Sequence, residues 1–155
     1  AERGRVFRRF HRLDAARLLP EADRALVASL EAAYRGAGLS PPDARTATAG
    51  QDPRRAAGAL RLLLRAGVLR RAVHAGREVL FHREALGRAC AALRAALAAR
   101  PEGLTVSECD ALLGISRRHG VPLLELLDAE GFTRRDGDRR HLAEAPSVAP
   151  AEAFS

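Results

Sequence analysis

Leu62-Leu63-Leu64-Arg65-Ala66-Gly67-Val68-Leu69-Arg70-Arg71 and Leu126-Leu127-Asp128-Ala129-Glu130-Gly131-Phe132-Thr133-Arg134-Arg135 are one passage written twice. Gly67 and Gly131 lie 64 residues apart, and Gly50 and Gly114 keep the same offset. Upstream, Ser40-Pro41-Pro42-Asp43 falls opposite Thr105-Val106-Ser107-Glu108, one residue out of that register. Both read as helix starts, with a Ser/Thr cap and an acid three residues later; Pro41 would then occupy the first helical position. Asp52-Pro53 and Ser116-Arg117 are back in register, each an N-cap followed by a first helical residue. A fixed period over most of a chain means two copies of one module, and the fold question reduces to that unit.

Each copy reads as helix, short helix, turn, helix and a two-stranded tail. In copy one, Leu26, Val27, Leu30 and Tyr34 form an apolar stripe on a helix over about residues 21 to 36. A short helix is expected over 41 to 48. A third over 53 to 66 turns Ala56, Leu60, Leu63 and Leu64 inward and Arg54, Arg55, Arg61 and Arg65 outward. Strands follow near 68 to 73 and 78 to 82, around Ala75-Gly76. Copy two repeats the plan with Leu86, Cys90, Leu93 and Leu97 on its first helix and a short helix over about 106 to 112. Its third helix runs from Ser116 towards Glu130 with Pro122 inside, which removes one hydrogen bond and predicts a kinked or irregular first turn. Phe132 to Arg135 and Arg139 to Leu142 pair across Asp136-Gly137-Asp138.

Three helices and a β-hairpin wing make a winged helix-turn-helix, so the fold class is mainly α (α+β) with tandem winged-helix domains at residues 21–82 and 83–142. Residues 1–20 read as the end of a preceding module plus a linker, because Gly4-Arg5-Val6-Phe7-Arg8-Arg9-Phe10 resembles a final strand. Residues 143–155, rich in Ala, Pro and Ser, read as a flexible tail.

Composition agrees with small helical cores: the 155 residues are 47% hydrophobic but only 4% aromatic. All 26 basic residues are arginine, against 19 acidic ones, for a net charge of +7. That balance suits a polyanion, but biased base composition with solvated helix faces accounts for it equally, and position has to decide. Cys90 and Cys109 sit in apolar helical settings with no CxxC partner, which argues against disulfides and zinc and for two small core residues. Arginines break every apolar run well short of a membrane span. No phosphate loop, carboxylate cluster or nucleophile–base arrangement is visible, so an enzyme is the least fitting class.

In copy two, Leu104-Thr105-Val106, Leu112-Leu113-Gly114-Ile115-Ser116-Arg117-Arg118 and Pro122-Leu123-Leu124-Glu125 resemble the last winged helix of the bacterial selenocysteine-specific translation elongation factor, and the likeness continues through Leu127-Asp128, Gly131, Thr133-Arg134-Arg135 and Gly137-Asp138. Copy one resembles the penultimate winged helix more loosely, through Phe81-His82-Arg83 and domain order. The resemblance implies a C-terminal, non-catalytic messenger-RNA-binding fragment of a cytoplasmic factor. It implies that the last winged helix grips a selenocysteine-insertion hairpin while the parent factor delivers selenocysteyl-tRNA to the ribosome at a recoded UGA codon. GTP and magnesium would belong to the parent, with no cofactor in this monomeric fragment and no membrane partner. Carried over by residue, RNA binding falls on Ser116, Arg117, Arg118 and His119 and on the wing residues Arg134, Arg135, Arg139 and Arg140. The sequence departs from the family at His119, where an aromatic is usual, at Gly120, usually a small apolar residue, and at Leu126, commonly Tyr.

The same residues suit RNA on physical grounds. A helix N-terminus attracts phosphate, and the planar fork of arginine meets phosphate bidentately or lies on an exposed base. In the wing, strand alternation sends at least one arginine of each pair outward. Because an RNA duplex hides its base edges in a deep groove, such a surface would grip backbone and capture one or two unstacked bases. The alternatives are a DNA-binding regulator, since winged helices commonly read a major groove, and a scaffold that binds only proteins. The dense motif lies in copy two alone, so copy two by itself is expected to carry the hairpin binding.

Overall fold

The computed structural model describes residues 18–143; the strand expected before residue 18 and nearly all of the expected tail lie outside them. Copy one consists of α1 (Glu21–Ala37), α2 (Ala44–Ala47), α3 (Pro53–Arg65), β1 (Leu69–His74) and β2 (Arg77–His82). Copy two consists of α4 (Arg83–Ala98), β3 (Leu104–Thr105), α5 (Val106–Leu113), α6 (Arg117–Ala129), β4 (Thr133–Asp136) and β5 (Arg139–Leu142). Wing one is a two-stranded antiparallel hairpin, and wing two is a three-stranded sheet in the order β3-β5-β4. The strand β3 was not foreseen, since two residues carry no periodicity.

The shared passage has a shared cause. Gly67 and Gly131 follow the third helix of each copy at φ 74 and 76, and Gly50 and Gly114 precede it at φ 79 and 66. A side chain resists that left-handed geometry, so glycine marks the same two corners in both copies. Asp52 caps α3 by accepting from the Arg55 amide at 3.0 Å, and Thr105 and Glu108 form a full capping box on α5.

The short helix of copy one differs from expectation. It starts at Ala44, capped by Asp43, whose carboxylate accepts from the Thr46 amide at 2.7 Å. Pro42 is the reason, because a proline drives the residue before it out of helical geometry and Pro41 cannot be the first helical residue. Wing two also turns one residue later than the Asp-Gly pair suggests. Asp136 pairs with Arg139 across Gly137-Asp138, with Gly137 at φ 61 in the first turn position.

Two apolar clusters hold the described residues together, and wing one serves both. Leu69 and Leu80 join Leu26, Leu30, Tyr34, Ala59 and Leu63 in the core of copy one. The opposite hairpin face sends Ala72, Val79 and Phe81 into the core of copy two, among Leu86, Leu93, Leu123 and Leu127. Strand alternation makes this possible. On that second face the register places Arg70 beside Phe81, Ala72 beside Val79, and His74 beside Arg77. All six residues therefore face copy two. At the polar ends of the face, Arg70 pairs with Glu130, and His74 Nδ1 lies 2.9 Å from the Glu125 carboxylate. The core of copy two is thus completed by residues of copy one.

Among the described residues no helix is long and apolar enough to cross a membrane. Cys90 and Cys109 are buried free thiols, each pushed up to about 11 by burial, and both act as core residues.

Candidate nucleic-acid interface

The start of α6 is built by a short approach and a close crossing. Gly114 ends α5, and two residues later Ser116 takes the N-cap position of α6 with extended backbone. Its hydroxyl makes no capping bond, while its carbonyl accepts from the amides of His119 and Gly120 at 3.0 and 2.9 Å. Arg117 and Arg118 occupy the first turn and are exposed. No salt bridge engages either among the described residues, although Asp110 lies within electrostatic reach of Arg117 and Asp43 within reach of Arg118.

Gly120 is where α6 crosses α5. A Cβ there would collide with the carboxylate of Asp110, which is buried beneath the helix with its Oδ1 lacking a hydrogen-bond partner. Burial pushes the Asp110 carboxyl up, and the Arg117 guanidinium pulls it part of the way back. The crossing therefore has room for a residue without a Cβ.

Helix α6 runs unbroken through Pro122, and its first turn is helical rather than irregular, with the His119 and Gly120 amides bonded to Ser116 O. Lacking an N–H, Pro122 leaves the Arg118 carbonyl without its helical donor. Arg77 of wing one supplies the substitute, its Nη2 donating to Arg118 O at 3.1 Å. The gap in the helix of copy two is therefore filled from copy one.

The structure separates the eight expected RNA-binding residues into two groups. Ser116, Arg117, Arg118, Arg134 and Arg135 are exposed. Arg134 has no ion pair among the described residues, and Arg135 Nε donates to Gly137 O at 2.9 Å across its own turn. Arg139 is half-buried, donating to Gly103 O at 3.2 Å and standing 3.8 Å from the Glu108 carboxylate.

Two of the eight face the protein interior instead. Arg140 is 3% exposed and holds Asp128 Oδ2 through Nε and Nη2 at 3.3 and 3.0 Å. Alternation puts it on the inner face of β5, and Asp128, which also accepts from Thr133 Oγ1 at 2.6 Å, supplies the countercharge. His119 is turned towards copy one, where its Nε2 lies 3.2 Å from the carbonyl of the buried Pro41. That carbonyl can only accept, so Nε2 carries the proton, and burial holds the imidazole below its ordinary pKa. In copy one, Arg55 is committed to Asp23 at 2.7 Å.

Sequence reasoning missed His74 and Arg77. They flank the Ala75-Gly76 turn, whose central residues lie at φ 49 and 74. With Arg117, Arg118, Val121 and Pro122 they line an open cleft of about 430 Å³ between the tip of wing one and the start of α6. A two-residue turn would have placed His74 opposite Arg77, but nothing local indicates that this pair meets a helix some forty residues away.

Comparison with known proteins bears on the same segment. Residues 95–142, from the end of α4 through wing two, match the family model for the winged helix of elongation factor SelB. Among solved structures, the chain is similar to the mRNA-binding domain of elongation factor SelB from E. coli, solved in complex with SECIS RNA. The two share 21% sequence identity at a TM-score of 0.66, over 81% of this chain and 100% of that one. No curated protein sequence matches the chain.

Proposed function

Residues 95–142 form a winged helix of the kind found in elongation factor SelB, and from that premise we propose that this chain binds a hairpin in messenger RNA of the selenocysteine-insertion type. The observation that carries the reading is that the matched segment contains the exposed arginines Arg117, Arg118, Arg134 and Arg135. Arg117 and Arg118 add their charge to the positive end of α6, where phosphate is favoured. Arg134 and Arg135 present guanidinium forks from wing two. Among the described residues no Phe or Tyr is exposed, which favours backbone gripping with capture of an unstacked base over stacking.

In this reading the chain is the non-catalytic RNA-binding part of a cytoplasmic translation factor. The parent factor would bind GTP with magnesium, carry selenocysteyl-tRNA and act on the ribosome at a recoded UGA codon. The fragment itself would need no cofactor and act as a monomer.

The test is fluorescence anisotropy with a labelled bulged RNA hairpin and a DNA duplex of equal length. RNA is expected to bind tighter, and Arg117→Ala and Arg118→Ala each to cost about 1 to 3 kcal/mol if the side chain makes a paired contact. Equal affinity for the DNA, or normal binding by both variants, would refute the proposal.

A further inference from the structure

The cleft between wing one and α6 extends this reading onto copy one. We propose that it holds a backbone phosphate of the bound RNA, with Arg77 of copy one and Arg118 of copy two as the principal contacts. The proposal rests on the RNA-binding reading above and adds a site formed by both modules.

The cleft is lined by His74, Ala75 and Arg77 on one side and by Arg117, Arg118, Val121 and Pro122 on the other. Three of these seven residues are arginines and none has a purely apolar aromatic ring, so the cleft offers charge and donors rather than a stacking platform. Phosphodiester is the part of a nucleic acid that such a lining recognises.

Arg77 is prepared for this role by the bond it already makes. A guanidinium has five N–H donors, and Arg77 uses Nη2 to replace the helical donor that Pro122 lacks. That contact fixes the plane of the fork beside the first turn of α6 and leaves further N–H groups for a second acceptor. Holding the fork in place beforehand lowers the ordering cost on binding. The carboxylates nearby do not close the cleft. Glu125 is engaged by His74, Asp110 lies beneath α6, and Asp43 accepts from the Thr46 amide.

The experiment measures binding of the bulged RNA hairpin by the whole chain between about 50 and 200 mM salt, where log affinity falls by about 0.7 to 0.9 per log unit of salt for each phosphate neutralised. Arg77→Gln, which removes the charge but keeps amide donors, is expected to flatten the slope by about one phosphate's worth. Arg77→Lys should restore the slope. A lowered melting temperature with an unchanged slope would show that Arg77 is only a strut between the modules and would overturn the proposal. An unchanged slope in Arg77→Gln alongside weakened binding in Arg118→Ala would also overturn it while leaving the RNA-binding reading intact. Failure of the unaltered chain to bind the hairpin would refute both.

Discussion

Phe81→Ala tests whether wing one belongs to the core of copy two. Phe81 lies in the last strand of copy one, yet its fully buried side chain packs in the cluster built around Leu86, Leu93, Leu123 and Leu127. Truncating a buried phenylalanine costs about 3 to 5 kcal/mol, combining lost transfer energy with an unfilled cavity. A unit of this size has a stability of roughly 0.05 to 0.15 kcal/mol per residue, or about 6 to 19 kcal/mol over the described residues. The variant should therefore fold, with a readable loss. Urea unfolding followed by circular dichroism gives the magnitude, and native-state hydrogen exchange gives the location. Protection is expected to fall in α4 and α6 of copy two. A loss below about 1 kcal/mol, or one confined to amides before residue 82, would refute a shared core. By the same reasoning a fragment beginning at residue 84 loses Ala72, Val79 and Phe81 from its core, and, in place of the expectation that copy two alone carries the hairpin binding, it should bind far more weakly than the whole chain.

Arg140→Ala should destabilise the chain by about 3 kcal/mol because it strands the Asp128 carboxylate; the salt slope of RNA binding should stay unchanged, since the side chain is buried, and a flatter slope would return Arg140 to the interface. Gly120→Ala, which improves helix propensity by about 1 kcal/mol on an open surface, should instead lower the melting temperature because its Cβ meets Asp110; pairing it with Asp110→Ala should recover most of the loss, and strict additivity would argue against the clash. His82 and His119 are both held below the ordinary 6.5 by burial, so the unfolded chain takes up more protons as pH falls through that value, and stability should decline from about pH 6.5 until the folded-state values are passed. Melting curves across that range check this, and His119→Asn should lessen the decline.

The sequence by itself determined the repeat, the class and most of the elements. Those signals are local: the Leu26-Leu30-Tyr34 stripe, the caps at Asp52 and Thr105, and glycines at corners that demand positive φ. Period and capping depend on neighbours within about one helical turn, so they can be read from a linear chain. Even the error at Ser40 was locally correctable, because Pro42 already forbids a helical Pro41.

Only the tertiary structure decided which arginines are available and what wing one does. Arg139 and Arg140 are adjacent and chemically identical; alternation says that they point oppositely but not which side is covered, and Asp128, which settles it, lies on another element. His119 looks like surface until Pro41, 78 residues away, comes to face it. The alternation of β1 and β2 gives wing one two faces, and Arg70, His74 and Arg77 make the second appear solvated. That face is instead docked on α6, because ion pairs to Glu130 and Glu125 and the carbonyl released by Pro122 compensate its polar groups there. Such compensation is a property of two surfaces brought together, which is why neither strand announces it alone.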